Sequence, residues 1–321
     1  MSEDITKKYF YWIDNLKVCL IFLIVLGHLP TNFNPYIYQF HIPIFFALSG
    51  FLYKPKTKKD ECKYIYKRLL LPYIIISCIC GLFLLLKDNN ANSSNIFLGI
   101  LFGDNIVNSQ IYSPCVPMWF VIALIWMRIM SSISMKYSLL FTLCFLLILK
   151  IKIITSIPFL SIDSALLAYP FFYFGYYLKN QINKVTLSKK QIIILFIINI
   201  ICNIFIANLN GFVDISNCKY GQYLTIFYMW RLICSYSFII FFKKCLDING
   251  GNIMYTLNQG MLIIVGFHLI ISYTLFRLLE GIIKDINIYS IIITIITFII
   301  LIPFILIIVK VCPVMTGQKT R

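Results

Sequence analysis

The fold is decided by one stretch near the start of the chain, Tyr11–Tyr53, which reads YWIDNLKVCLIFLIVLGHLPTNFNPYIYQFHIPIFFALSGFLY. It contains a histidine in each of two consecutive apolar segments, His28 in LGH and His41 in FHIP, although the whole chain has only three histidines. An imidazole is costly to hold at membrane depth, so intramembrane histidines are usually functional. The stretch therefore predicts a membrane protein that performs chemistry, and the rest of the chain is interpreted around it.

The composition excludes a soluble protein. Of the 321 residues, 60% are hydrophobic and 12% are charged, with a mean hydropathy of +0.86, whereas soluble domains carry roughly a quarter charged residues. Repeated apolar runs of roughly 17–25 residues match the length of helix that crosses a bilayer. These features predict an all-α, polytopic membrane helical bundle. No polar stretch is long enough for a soluble domain, so residues 1–321 are expected to form a single integral membrane domain.

The apolar runs predict about ten membrane-spanning helices. Their expected ranges are 13–30, 36–53, 68–87, 115–133, 137–155, 160–178, 190–208, 221–242, 252–276 and 287–311. This segmentation puts the great majority of the 28 lysines and arginines on one side, which the positive-inside rule identifies as the cytoplasm. An even number of spans then leaves both termini in the cytoplasm. Because the basic residues lie in short connections, the membrane explains the net charge of +16 and no nucleic-acid partner is expected.

Four costly side chains at a similar depth form a candidate buried site. Counting along each helix from its cytoplasmic end gives depths of about 16, 20, 24 and 18 Å for His28, His41, His268 and Arg231. The alternative for each histidine is an interhelical hydrogen bond, and for Arg231 a partnership with a carboxylate or helix carbonyls. Asp163 is the acid able to reach this layer, and its alternative role is a helix N-cap. No HxxxH or HxxE spacing is present, so no metal is expected.

Basic residues at the cytoplasmic ends of the first and third spans are candidates for binding an anion. Asp14 and Lys17 lie three apart on one helix face, where an ion pair is the simpler interpretation. The run Lys54–Arg68 contains seven basic residues. It is either an ordinary positive-inside loop or, through residues such as Lys67 and Arg68, the binding site of an anionic cytosolic cofactor such as a coenzyme A phosphate.

Six motifs occur in order along the chain and together cover most of it. They are YWIDNLKVCLIFLIVLGH (11–28), FHIPIFFALSGFLY (40–53), KRLLLPY (67–73), PMWFV (117–121), DSALLAYPFFYFGYYL (163–178) and GGNIMYTLNQGMLIIVGFH (250–268). As an ordered set they resemble the membrane acyltransferase family 3, which consists of integral membrane O-acyltransferases. Lys17 stands where many members carry arginine. The positive charge is kept, but a lysine cannot bind an anion through two parallel hydrogen bonds as an arginine does.

The resemblance implies that an acyl group, most often acetyl, passes from a cytosolic acyl-CoA to a hydroxyl group of a cell-surface glycan or its lipid-linked precursor. By position in the motifs, His28 is expected to be the catalytic histidine, with Lys17 as its basic companion. A buried imidazole stays neutral and can act as a base near neutral pH. Ten or eleven residues of helix separate the two side chains, so Lys17 is expected near the phosphates of the donor and His28 near the acceptor hydroxyl.

The remaining expectations concern support and location. The residues expected to orient the acceptor or to stabilise an oxyanion are His41, Trp119, Asp163, Arg231 and His268. Acetyl-CoA is the expected donor substrate, and the lipid bilayer and a saccharide are the expected partners. The expected location is the bacterial inner membrane.

Two other classes of protein remain as alternatives. A transporter or flippase of a lipid-linked saccharide would favour paired Gly- or Pro-broken helices in two corresponding halves, and no such symmetry is found. A purely structural membrane partner would tolerate apolar residues at His28, His41 and Arg231.

Overall fold

The structure, a computed structural model, describes residues 9–88, 91–103, 114–150, 159–281 and 283–318. Within these residues every regular element is a helix, apart from one isolated bridge between Asp214 and Lys219. The prediction of an all-α fold is therefore confirmed. The α-helices of the described residues are α1 (Tyr11–Gly27), α2 (Asn34–Ile37), α3 (His41–Leu52), α4 (Lys58–Ile65), α5 (Leu71–Lys87), α6 (Ser93–Leu101), α7 (Trp119–Ile133), α8 (Met135–Lys150), α9 (Ile162–Gln181), α10 (Lys189–Asn210), α11 (Leu224–Cys245), α12 (Gly251–Gln259), α13 (Met261–Leu278) and α14 (Ile286–Val311).

Six helical segments of the described chain are long and apolar enough to cross a membrane. They are Lys58–Lys87, Val116–Ile133, Lys189–Asn210, Leu224–Cys245, Met261–Leu278 and Ile286–Val311. Each coincides with a predicted span, which confirms the membrane-helix class. The other four predicted spans coincide with α1, α3, α8 and α9, which are shorter or less apolar, and residues 151–155 of one of them lie outside the described residues. The count of ten crossings stays a prediction.

Helix α1 is firmly anchored at its first turn. It packs against α3, α11, α12, α13 and α14, and its side chains Leu16 and Leu20 are fully buried. The backbone N–H of Trp12 donates to the Asp247 carboxylate at 3.0 Å. The side-chain amide of Asn15 donates to two backbone carbonyls in the connection that follows α11. These contacts hold α1 in register with its neighbours, so that the side chains along it have defined positions.

The structure corrects where the first two histidines lie on their helices. His28 is the residue after α1 and His41 is the first residue of α3, so both lie at helix ends rather than inside spans. Pro43 explains the late start of α3. A helix running on from residue 36 would need an N–H at Pro43 to bond the carbonyl of Gln39, whereas a helix that begins at His41 puts Pro43 in its first turn, where no N–H is needed.

Pro72 similarly shapes the third predicted span. The helices α4 and α5 form one continuous helical segment, joined by a short π-helix at Tyr66–Leu70. This wider turn comes just before Pro72, which cannot donate an N–H to the preceding turn. π-Helical turns inside α-helices are frequent at functional sites. Arg68 lies within this turn, so the local geometry imposed next to Pro72 determines where its side chain points.

Gly260 interrupts the ninth predicted span. Helix α12 ends at Gln259, α13 begins at Met261, and Gly260 lies between them. Close packing accounts for the glycine, because a Cβ atom there would overlap the side chain of Ile305 on α14. The residues that precede and follow this break consequently belong to two separate helices, α12 and α13.

Candidate functional site

Three of the predicted site residues share one cavity of about 230 Å³, which we call the histidine cavity. It lies beside the last turn of α1, the first turns of α3 and α7, and the connection between α10 and α11. Its lining residues are Ile24, His28, Tyr38, His41, Ile42, Phe45, Val116, Pro117, Trp119, Phe120, Asp214, Ile215, Ser216, Asn217 and Val265. The same cavity is therefore lined by His28, His41 and Trp119, although these three residues come from different parts of the sequence.

His28 presents a partly exposed ring to the histidine cavity. Its backbone N–H bonds the carbonyl of Ile24 at 3.2 Å, and its own carbonyl accepts a hydrogen bond from the Tyr273 hydroxyl at 3.0 Å. The ring lies 5.2 Å, centroid to centroid, from the ring of His268. Among the described residues its nitrogens have no hydrogen-bond partner. The backbone is thus held while the imidazole is available to a substrate.

His41 is buried, and its contacts define its tautomer. Its Nδ1 lies 2.6 Å from the carbonyl oxygen of Ile37. A carbonyl oxygen can only accept, so Nδ1 carries the hydrogen and the neutral ring has an unprotonated Nε2. The ring of Tyr38 packs edge-on against His41, with centroids 5.3 Å apart. His41 therefore brings a hydrogen-bond acceptor to the wall of the cavity.

Asp214, which was not among the predicted site residues, supplies a carboxylate to the histidine cavity. Its oxygens accept hydrogen bonds from the backbone N–H of Ser216 at 3.0 Å, from the Ser216 hydroxyl at 2.5 Å and from the Asn217 amide at 2.7 Å. The carboxylate lines the same cavity as His28 and His41. One feature of the sequence could have identified Asp214. It is an acidic residue in the connection between the predicted spans 190–208 and 221–242, close to the depth expected for the histidines.

His268 and Arg231, predicted as supporting residues, do not line the cavity. His268 is fully buried on α13 behind His28. Arg231 is also fully buried, and its guanidinium donates to the carbonyl of Phe227 at 3.0 Å and to the side-chain oxygen of Gln39. The Gln39 amide in turn donates to the carbonyl of Gly211 at 2.9 Å. Arg231 therefore bonds a helix carbonyl, which was one of the two predicted alternatives, and its second partner is the amide of Gln39 where a carboxylate was the other alternative.

Asp163 does not line the cavity either. Its Oδ1 accepts a hydrogen bond from the backbone N–H of Ser164 at 2.8 Å, while Ser161 is the N-cap of α9. The N-cap interpretation of Asp163 was therefore wrong. The Ser164 hydroxyl donates to the carbonyl of Ser216 at 3.0 Å, so the first turn of α9 contacts the segment that carries the cavity residues 214–217.

A second, larger cavity of about 820 Å³ lies at the opposite end of α1, and we call it the lysine cavity. Its lining residues are Tyr9, Asp14, Lys17, Lys56, Tyr64, Arg68, Tyr255, Asn258, Gln259, Val309, Pro313, Thr316, Gly317 and Gln318. Lys17 donates to the Asn258 side chain at 3.4 Å, whereas Asp14 accepts from the Tyr9 hydroxyl, so the predicted Asp14–Lys17 ion pair was wrong. Lys67 is exposed and does not line the cavity, in contrast to its neighbour Arg68.

A buried ion pair supports the wall of the lysine cavity. Arg128 Nε on α7 lies 2.6 Å from Glu61 Oε1 on α4. The Arg128 guanidinium lies 4.0 Å from the ring centroid of Tyr64, and the Lys56 ammonium lies 3.6 Å from the same centroid. Partial burial, together with the nearby charge of Arg128, lowers the pKa of Lys56. Cation–π contacts of this kind stabilise a positive charge without neutralising it, so the wall stays cationic.

The two cavities lie at the two ends of one helix and offer different chemistry. His28 comes eleven positions after Lys17, which corresponds to about 16 Å along α1. The lysine cavity has the charges that bind phosphate groups, and the histidine cavity has imidazoles able to take a proton or to carry a transferred group. Together with the apolar helices, these features define an integral membrane helical protein with one cavity lined by cationic side chains and one lined by histidines.

Comparison with known families is consistent with this class. The sequence model of acyltransferase family 3, described as an acyltransferase domain, matches residues 10–311, nearly the whole chain. The chain therefore belongs to the membrane acyltransferase family 3, as the ordered motifs predicted. Family membership indicates acyltransferase activity and gives no support to a transporter or flippase. No curated protein and no solved structure matched the chain.

Proposed function

We propose that this protein is an O-acetyltransferase of the bacterial inner membrane, with ten crossings and both termini in the cytosol. It transfers acetyl from cytosolic acetyl-CoA to a hydroxyl group of a cell-surface glycan or its lipid-linked precursor. The observation that carries the proposal is the arrangement along α1, which has a cation-lined cavity at one end and a histidine cavity at the other. This is the arrangement needed by a reaction whose charged donor and whose acceptor arrive from opposite sides of a membrane.

The lysine cavity supports a donor that carries phosphates. Lys17, Lys56 and Arg68 all line it, and charge-assisted hydrogen bonds from such groups bind phosphate oxygens strongly. The polar side chains of Asn258 and Gln318 add neutral hydrogen-bonding groups to the same wall. Coenzyme A has a pyrophosphate and a 3′-phosphate at one end, while its thioester lies at the end of a long pantetheine arm. That arm is of the length needed to cover the ~16 Å of helix between Lys17 and His28.

At the histidine cavity, His28 acts on the acceptor hydroxyl. As a general base it takes the hydroxyl proton while the oxygen attacks the thioester carbonyl; as a nucleophile it first carries the acetyl group itself. In either route the C–S bond of the thioester breaks, a C–O ester bond forms, and the proton released by the hydroxyl leaves with the coenzyme A thiol. His41 and Trp119 line the same cavity, and in this proposal they orient the reactants or stabilise the developing oxyanion.

The histidine cavity also supports a hydroxyl-rich acceptor. Asp214, Ser216, Asn217 and Tyr38 line it, and their carboxylate, hydroxyl and amide groups are the types that hydrogen-bond sugar hydroxyls. Aromatic walls from Trp119 and nearby phenylalanines provide apolar surface for the faces of a sugar ring. A saccharide therefore matches the chemistry of the lining better than a purely apolar acceptor does.

The proposal is tested with purified protein in lipid vesicles by following the release of coenzyme A thiol from acetyl-CoA in the presence of glycan acceptor. We expect His28→Ala to lower the rate to background while its level in the membrane and its thermal unfolding match those of the wild type. NMR of surface glycans from cells with and without the gene is expected to show an O-acetyl signal that depends on it. Full activity of the His28→Ala variant would contradict the mechanism, and an unchanged glycan spectrum would contradict the acceptor.

A further inference from the structure

His268 is a fully buried histidine whose two ring nitrogens have different surroundings. Its Nδ1 lies 2.8 Å from the carbonyl oxygen of Ile264 and 3.1 Å from that of Val265. Carbonyl oxygens only accept hydrogen bonds, so Nδ1 carries a hydrogen. Among the described residues no acid lies within ion-pair distance of His268, and a buried imidazolium without a counter-ion is strongly disfavoured. The ring is therefore neutral, and its Nε2 is an acceptor.

That acceptor has no hydrogen-bond partner among the described residues. A buried polar atom without a partner destabilises the fold by about 1–3 kcal/mol, so an atom of this kind calls for an explanation. The ring of His28 lies close to it, with the two centroids 5.2 Å apart and the ring planes inclined at 42°. At this separation two imidazoles whose nitrogens point at each other reach hydrogen-bond distance.

His28 is able to turn toward His268 without moving its backbone. Hydrogen bonds hold the backbone of His28. Its carbonyl accepts from the Tyr273 hydroxyl, and its N–H donates to the carbonyl of Ile24 in the last turn of α1. Its ring nitrogens have no hydrogen-bond partner within the described part of the chain, so rotation about the Cβ–Cγ bond breaks no hydrogen bond made there. The movement required is confined to one side chain.

We propose, on the basis of the function proposed above, that His268 Nε2 accepts a hydrogen bond from His28 and thereby selects its tautomer. The nitrogen of His28 that faces α13 then carries the hydrogen, and the nitrogen that faces the histidine cavity keeps its lone pair. When the second nitrogen takes the proton of the acceptor hydroxyl, the imidazolium formed remains hydrogen-bonded to His268. His268 is thus a positioning residue, in the way that a third group orients the base in other nucleophile–base pairs.

Three substitutions of His268 separate this role from packing. His268→Gln keeps an acceptor near the position of Nε2, His268→Asn keeps a polar group only near the position of Nδ1, and His268→Phe keeps the ring shape alone. We expect kcat to fall about tenfold to a hundredfold in the Asn and Phe variants. The KM for acetyl-CoA is expected to stay unchanged, and the Gln variant to recover most of kcat. Equal kcat values in the Gln and Phe variants would overturn the proposal.

Ser272, one turn further along α13, has a buried hydroxyl that also lacks a partner among the residues the structure describes. It is therefore the rival hydrogen-bond donor to His268. If Ser272→Ala reproduces the loss seen in His268→Phe, then His268 acts through Ser272 and the proposal is overturned. We expect Ser272→Ala to keep nearly the wild-type kcat.

A spectroscopic measurement tests the hydrogen bond without relying on activity. The chain has only three histidines, so ¹⁵N-histidine labelling in lipid nanodiscs gives few and assignable signals. We expect a single tautomer for His28 in the wild type, a mixture in His268→Phe and a single tautomer again in His268→Gln. An identical His28 spectrum in wild type and His268→Phe would overturn the proposal. If these spectra are observed but the protein transfers no acetyl group, the hydrogen bond is supported and the proposed function is contradicted.

Discussion

At the scale of single residues, Arg231 shows how a buried charge is accommodated when no carboxylate of the described residues pairs with it. Its guanidinium donates to a carbonyl of its own helix and to Gln39, and it lies 4.3 Å from the ring centroid of Phe227. Gln39 stands between Tyr38 and His41 in the chain and also bonds Gly211 at 2.9 Å. Arg231 therefore connects two segments that carry residues of the histidine cavity, and its role is to hold them together.

Lys17 and Lys67 form a matched pair for testing the donor site, because both were predicted to bind the donor and only Lys17 lines the lysine cavity. A charged hydrogen bond is worth about 1.5–3 kcal/mol. We therefore expect Lys17→Met to raise the KM for acetyl-CoA at least tenfold with little change in kcat, and Lys67→Met to change the KM by less than about twofold. Steady-state kinetics in vesicles measures both. A larger effect at Lys67 than at Lys17 would mean that the donor binds elsewhere.

At the scale of helices, α3 and α9 approach each other through glycines on both sides. A Cβ atom at Gly50 on α3 would overlap the carbonyl of Phe172, and one at Gly175 on α9 would overlap the carbonyl of Ala47. Small residues allow membrane helices to pack backbone against backbone. With only 12 residues, α3 has little surface of its own, so this contact determines its position and that of His41 at its start.

Gly50→Ala is accordingly expected to destabilise the protein by about 1–3 kcal/mol, because the added methyl group would meet backbone atoms that cannot move aside. The measurement is the Tm of purified protein in detergent, and acetyl transfer should fall together with it. Ser49→Ala is the control on the same helix. Within the described residues the Ser49 hydroxyl donates only to the carbonyl of Phe45 one turn back, so its loss should leave the Tm nearly unchanged. Equal Tm values for the two variants would show that α3 and α9 are not closely packed.

At the scale of the whole molecule, the proposed reaction needs the two cavities on opposite sides of the membrane. The lysine cavity is lined by the first turns of α1, the end of α12 and residues after α14, whereas the histidine cavity is lined by the last turn of α1 and the connection from α10 to α11. The segments that line the lysine cavity include those that the positive-inside rule assigns to the cytosol. A cytosolic donor would then meet the lysine cavity first.

Reporter fusions test this orientation directly. Alkaline phosphatase, which is active only outside the cytosol, should be active when fused after Lys219 and inactive when fused after Asn249. Green fluorescent protein at the same two positions should give the opposite result. The reverse pattern would put the lysine cavity on the outer side and rule out a cytosolic donor there.

Much of the fold was predictable because it depends on local properties of the chain. The length of an apolar run, the charges between runs and the spacing of residues along one helix are all written in consecutive residues. The sequence therefore predicted the membrane-helix class, the six long spans, and the separation of Lys17 from His28 along α1. It did not predict the helix ends at His28 and His41, because the start of α3 depends on whether Pro43 falls in a first turn.

The sequence by itself determined the class of protein, the family through its ordered motifs, and the helix that carries Lys17 and leads to His28. Only the tertiary structure decided which side chains meet. It brought Asp214 to the histidine cavity, left Arg231 and Asp163 outside it, and set His268 against His28. The physical reason is that such contacts depend on how distant helices pack, through features such as the close approach of α3 and α9, and no periodicity or spacing in the chain records that packing.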